Sequence, residues 1–205
     1  MPLIRRPDAT EPDPAAPPAE ALRSPSADAR WSAVRALGDS AGGLALLIEA
    51  LGREREPHVL EAIFTSLARN QSPEAIDALV GCVRSDDAVL RTGAMDALRT
   101  APAVLGPRLA ALLDDADADV RLLACDLARA LPPAEAAGLL CRRLAVETEA
   151  NVCAAAVETL AEIGEASAGP ALAACAERFA DEPFLKFAIT EAARRLSVRT
   201  AAARD

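Results

Sequence analysis

Tyrosine is absent from this chain of 205 residues, and tryptophan, histidine and lysine occur once each, as Trp31, His58 and Lys186. Aromatics make up only 2% of the sequence, so the core must be assembled from Ala, Leu and Val. A sheet-based fold would call for more β-branched and aromatic residues. With a single histidine, no two-His metal site can form within one chain, and a Ser–His or Cys–His pair would rest on His58 alone. No Ser or Cys motif points to it, so His58 reads as a surface or capping residue. Glycine-rich phosphate loops are also missing: Gly42-Gly43 is too short and lacks a lysine, and no G-x-G-x-x-G follows a strand. No catalytic residue, cofactor or metal is therefore expected, and the chain reads as non-enzymatic. The longest apolar stretch, near Leu44–Leu51, is broken by Glu49 and is too short to span a membrane. Arg5-Arg6 is followed by acidic, proline-rich sequence rather than an apolar stretch, so no signal peptide is expected. Five cysteines, each within a predicted helix, do not resemble a secreted disulfide framework. The expectation is a cytoplasmic protein with reduced thiols.

What is present is Ala, Leu and acid. Hydrophobic residues make up 52% of the chain, enough for a substantial core. Small Ala side chains favour helix and let helices approach closely. The net charge of −9 argues against wrapping nucleic acid, which requires cations to displace condensed counterions. The predominance of Arg over Lys, with abundant Ala, matches a GC-rich bacterial coding bias.

Residues 1–23 hold many of the prolines, mixed with Ala, Asp and Glu, and such a segment cannot offset its ordering entropy by burial. It is expected to be a disordered tail. Its start differs: Leu3 and Ile4 stand beside Arg5 and Arg6, either as an ordinary frayed terminus or as a short docking motif.

From there on, one pattern recurs every 30 to 33 residues, best seen as Val120-Arg121-x-x-Ala124-x-x-Leu127-Ala128. The same frame reads Ala29-Arg30…Ala33…Leu37, Val59-Leu60…Ile63…Leu67 and Leu90-Arg91…Ala94…Leu98. It continues as Val152-Cys153…Ala156…Leu160 and Leu185-Lys186…Ile189…Ala192-Ala193. A fixed period of this size signals stacked units, none of which can bury its apolar face alone. Pro57 and Pro183 precede first helices, whereas Pro73, Pro107, Pro133 and Pro170 fall near the start of second helices, where a missing N–H is tolerated. Ser72 is a plausible N-cap, and Gly38 and Gly164 suit C-terminal caps. The units lie near 24–55, 56–85, 86–115, 116–148 and 149–181, with a partial sixth at 182–198 and a frayed end at 199–205.

The D-x-x-V-R-x-x-A-x-x-A-L spacing around Val120-Arg121 and Arg30–Leu37 resembles the HEAT repeat, and the short period resembles the bacterial phycobilisome-lyase-type form. The resemblance covers everything but the tail. It implies an all-α, right-handed α-solenoid of about five and a half HEAT-like repeats, with second helices lining the concave face. It also implies that Arg30, Arg91 and Arg121 form a ladder of Arg–Asp hydrogen bonds between adjacent repeats. Leu60 and Cys153 replace that Arg in repeats two and five, which should be locally irregular.

Asp114-Asp115-Ala116-Asp117-Ala118-Asp119 has a calcium-loop flavour but lacks the turn Gly and closing Glu, and Asp is favoured at a helix N-terminus without any ion. Cys125, Cys141, Cys153 and Cys175 lack the paired C-x₂₋₄-C of zinc sites and read mainly as helix packing. On the second helices, Arg53, Asp77, Arg84, Arg108, Arg142, Arg143 and Glu147 are the candidate partner-binding residues. Arg84, Arg108, Arg142 and Arg143 form either a solvated mixed face or a basic strip that steers an acidic patch on a protein partner. Phe184 and Phe187, one turn apart, either cap the last core layer or form a docking patch. The functional expectation is a non-enzymatic adaptor or scaffold that holds a protein partner on the concave face, with the tail motif at Leu3–Arg6 as a second, tethered contact. A bilin lyase-type subunit or cofactor-maturation chaperone is the alternative that the resemblance allows, although few aromatics are available to grip a tetrapyrrole.

Overall fold

The computed structural model describes residues 17–40, 42–163 and 166–202; Leu3, Ile4, Arg5 and Arg6 lie outside the described residues, as does Gly164. Among the described residues every regular element is helical. The chain packs as two compact units, one ending at Ala97 and the other beginning at Leu98.

In the first unit a short α1 (Pro18–Ala21) leads into α2 (Ala27–Gly38), α3 (Gly43–Arg53), α4 (Pro57–Asn70) and α5 (Pro73–Val83). The unit border falls inside α6 (Ala88–Arg99). The second unit continues with α7 (Pro102–Leu113), α8 (Ala118–Leu127), α9 (Pro133–Val146), α10 (Ala150–Ile163), α11 (Gly169–Arg178) and α12 (Pro183–Ala202). A typical helix of 12 residues such as α2 is about 18 Å long.

Sequence chemistry sets the helix starts. The Ser26 and Ser72 hydroxyls accept the backbone N–H groups of Ala29 (3.4 Å) and Ala75 (3.2 Å), so Ser72 is the N-cap expected. The Asp117 carboxylate accepts the N–H of Asp119 at 2.9 Å, and Asp87 accepts that of Val89 at 2.8 Å. These bonds satisfy donors that have no partner within the helix. Pro57, Pro73 and Pro133 each open a helix. Pro107 does not: α7 opens at Pro102 and carries Pro107 in its interior, where a ring without an N–H forfeits one helical bond.

The repeating frame is the core. Ala33, Leu37, Val59, Ile63, Leu67, Ala94, Leu98, Val120, Ala124, Val152, Ala156, Leu160, Leu185 and Ile189 are all buried. First helices lie side by side, α2 on α4 and α8 on α10 on α12, and second helices pack behind them. Each fully buried Leu or Ile contributes about 1.5–3 kcal/mol. Two close approaches tighten the first unit. A Cβ on Gly38 would sit 2.8 Å from the Ser66 hydroxyl oxygen, and one on Gly93 would sit 2.2 Å from the Phe64 ring. Thr159, fully buried, ties α10 to α8 by donating to the Cys125 carbonyl at 3.1 Å.

The termini depart from the sequence-based boundaries. The tail expected over 1–23 ends earlier, because residues 18–21 are helical and Leu22 is buried. The C-terminal end expected to fray from 199 remains helical to Ala202. The irregularity expected of repeats two and five is not seen in their first helices: α4 and α10 are unbroken over 14 residues each, whereas α8, in the best copy of the frame, gives way to a 3-10 turn at Ala128–Ala130.

Candidate protein-binding surfaces

The repeat arginines make a different connection from the expected ladder. Arg121 donates from Nε and a terminal nitrogen to the two carboxylate oxygens of Glu147, at 2.8 and 3.0 Å. Its other terminal nitrogen donates to the carbonyls of Asp115 and Ala116 at 2.9 and 3.0 Å, closing the loop before α8. Glu147 in turn accepts the N–H groups of Thr148 and Glu149 at 2.9 and 3.0 Å, which sets the entry to α10. Arg30 repeats the arrangement. It grips Glu54 at 2.7 and 3.1 Å and caps Ser24 and Pro25, while Glu54 accepts from Arg55 and Glu56. Arg91 donates to the Ser85 carbonyl at 2.7 Å. The clamp therefore spans one repeat, from the start of its first helix to the end of its second, and its acceptor is a Glu. Burial alone would raise the Glu54 and Glu147 carboxyls. The arginine and backbone N–H bonds outweigh it and hold each at about 2.

Ion pairs between adjacent repeats do exist, on arginines that the frame did not single out. In the second unit Arg99 bridges to Asp126, Arg129 reaches the same Asp126, and Arg129 also bridges to Glu162. In the first unit Arg69 meets Asp39 at 3.2 Å. These groups sit at the C-terminal ends of first helices, where cations are favoured.

The expected partner-binding residues divide. Glu147 is a correction: at 1% exposure it is the buried acceptor of the clamp, not part of a surface. Arg143 is held against it, with Nε 3.0 Å from a Glu147 oxygen and a terminal nitrogen 3.3 Å from Asp114. Arg53 is exposed and pairs with Glu49 at 2.6 Å; Glu49 also receives Arg23 at 3.2 Å. Asp77, Arg84 and Arg142 are exposed, and Arg108 is half-buried. Arg84 belongs to the first unit; Arg108, Arg142 and Arg143 belong to the second.

The thiols are packing groups. Cys125, Cys153 and Cys175 are buried, and Cys82 and Cys141 half-buried. Burial pushes Cys125 and Cys153 up to about 12, and raises Cys175 as well. Among the described residues no group of three or more His, Cys, Asp or Glu side chains is arranged to hold a metal ion. Within the acidic run, Asp115 and Asp117 accept backbone N–H groups of residues further along the turn, as helix-start chemistry requires. His58 is half-exposed, its Nε2 lying 4.0 Å from an Asp28 oxygen.

Two surface features carry chemistry of their own. On the first-helix face of the first unit, a groove of about 360 Å³ between α2 and α4 is lined by Trp31, Arg35, Asp39, His58, Glu61 and Arg69, among others. The Arg35 guanidinium stacks on the Trp31 ring, 4.8 Å from its centre. In the second unit, Phe184 and Phe187 stand 67% and 68% exposed, while Leu185 and Ile189 of the same helix fill the core. They do not cap the last core layer. Sequence reasoning missed the groove because Trp31 sits at an outward position of the frame, where only the rarity of tryptophan draws attention. No helix among the described residues is long and apolar enough to cross a membrane.

No curated protein matches the chain. Similar solved structures include an engineered protein, with 19% identity over 88% of this chain and 95% of that one and a TM-score of 0.43. The complex of CpcE and CpcF of phycocyanin lyase from Nostoc sp. PCC7120 has 16% identity over 95% and 100%, with a TM-score of 0.38. A designed armadillo repeat protein has 20% identity over 87% and 98%, with a TM-score of 0.37. Residues 15–99 of this chain match the family of HEAT repeats.

Proposed function

We propose that this chain is a non-enzymatic adaptor, a repeat scaffold that holds a protein partner through its helix surfaces. The observation that carries this reading is the Trp31–Arg35 stack in the groove between α2 and α4. Among the described residues Arg35 has no carboxylate partner, while its neighbour Arg69 is paired with Asp39. A stacked guanidinium is already ordered, so its free donors can take a carboxylate with little further loss of entropy. Trp and Arg are also the side chains that dominate protein-binding energetics. Asp39 and Glu61 on the same walls disfavour a polyanion. A single acidic side chain beside an apolar one fits best, which is the kind of acidic patch expected of the partner.

The test is affinity capture from the native cytoplasm on wild-type and Trp31→Ala/Arg35→Glu baits in parallel, read by mass spectrometry. The expected result is a partner retained by the wild type and lost by the variant, with Trp31 fluorescence changing when the purified partner is added. Equal capture by both baits would remove the groove from the reading, and the second-helix arginines would be substituted next.

A further inference from the structure

The exposed phenylalanines of α12 are unexplained by an acidic-partner groove on α2 and α4. Phe184 and Phe187 are two of only four phenylalanines in the chain, and both face water at 67% and 68% exposure. Burying an aromatic side chain is strongly favourable, so an exposed pair one helical turn apart invites cover. They occupy the outward positions of the frame, immediately before and two residues after the core residue Leu185. In the neighbouring helices of this unit the equivalent residues are Asp119 and Leu122 on α8, and Asn151 and Ala154 on α10. The border of the patch is acidic. Asp181 and Glu182 immediately precede α12, and Glu149 holds the matching place before the adjoining α10; all three are exposed. Lys186 is the one cation between the two rings in sequence. The surface thus asks for a short segment with large aliphatic side chains for the rings and adjacent cations for the carboxylates.

The sequence of this chain contains such a segment. Leu3-Ile4-Arg5-Arg6 places two aliphatics next to two arginines, with no acid before Asp8. Residues 7–17, which join it to α1, give it a reach of up to roughly 36 Å. We propose that the Phe184–Phe187 patch is the docking site for residues Leu3–Arg6 of a second copy of this chain. Leu3 and Ile4 cover the rings, and Arg5 and Arg6 pair with Asp181 and Glu182. The contact is head-to-tail. Each copy offers one segment and one patch, so association grows with concentration rather than stopping at a symmetric pair.

Sedimentation velocity over a micromolar-to-millimolar range tests it with the full chain and two double variants, Arg5→Glu/Arg6→Glu and Phe184→Ser/Phe187→Ser. Circular dichroism first establishes that both fold, which their exposed or tail positions favour. Wild type is expected to gain mass with concentration and to lose it in high salt, and each variant alone to remain monomeric. An equimolar mixture of the two variants should form a one-to-one complex, because one supplies an intact patch and the other an intact segment. A monomeric wild type, as docking within one chain would give, overturns the proposal. So does a mixture that forms no complex. If only the phenylalanine variant loses self-association, the patch meets something other than the segment, and the assignment of the occupant fails.

Discussion

Arg121 holds Glu147 by two parallel hydrogen bonds of 2.8 and 3.0 Å, joining the start of one helix to the end of the next within a single repeat. Both side chains are withdrawn from water, so neither can be removed alone without leaving the other uncompensated. Arg121→Ala should therefore destabilise the chain by about 3–5 kcal/mol. The double variant Arg121→Met/Glu147→Leu should recover much of that loss, since apolar packing can replace a buried pair. The chain already does this in repeats two and five, where Leu60 and Cys153 occupy the arginine position and are buried. Urea unfolding of the three proteins decides it; a double variant as weak as Arg121→Ala would mean that the backbone N–H groups held by Glu147 matter more than the pair.

The same clamps set an acid limit. Glu54 and Glu147 lie at about 2 in the folded chain against an ordinary 4.5, so folding favours their ionised forms. Their contribution is complete above about pH 4.5 and drains away as the pH falls toward 2, on the order of 2–3 kcal/mol per clamp. Unfolding free energies measured across this window should fall steadily for wild type and less steeply for Glu147→Gln. Parallel slopes would assign the acid sensitivity elsewhere.

Ion pairs between repeats should matter far less. Asp126 receives both Arg99 and Arg129, but all three side chains are about a third exposed, and such pairs contribute roughly 0.2–1 kcal/mol each. Asp126→Ala is expected to cost less than a third of what Arg121→Ala costs, and salt should narrow the difference between wild type and the variant. A loss equal to that of Arg121→Ala would show that Asp126 acts as part of a coupled network.

Thiol chemistry offers a further check. Burial raises all five cysteines, Cys125 and Cys153 to about 12, which leaves little thiolate at neutral pH. A disulfide-forming thiol reagent should label half-buried Cys82 and Cys141 slowly, and Cys125, Cys153 and Cys175 only after unfolding. Rapid labelling of Cys153 in the native chain would contradict its packing role.

The helical repeat was legible because the frame residues are the core residues: Val120, Ala124, Val152 and Ala156 recur in sequence for the same reason that they are buried. Helix starts at Ser72 and Pro133 were legible from local chemistry alone. Pairing was not. The spacing that marks Arg30 and Arg121 says nothing of an acceptor 24 or 26 residues later, because Glu54 and Glu147 sit just beyond a helix end, where no periodicity applies. Glu147 consequently read as a surface acid. Phe184 and Phe187 were ambiguous for a related reason. A one-turn spacing places two rings on one face, and only the burial of Leu185 and Ile189 decides that this face is the outer one.

The contact between Gly93 and Phe64 carries a constraint of another kind. The Phe64 ring fills the space where any side chain at 93 would begin, so the two positions hold a single shared volume. That volume can be divided differently, with a smaller residue at 64 and a larger one at 93, but neither position can change its share alone. Variation at one is expected to be tolerated only in chains that have already changed the other.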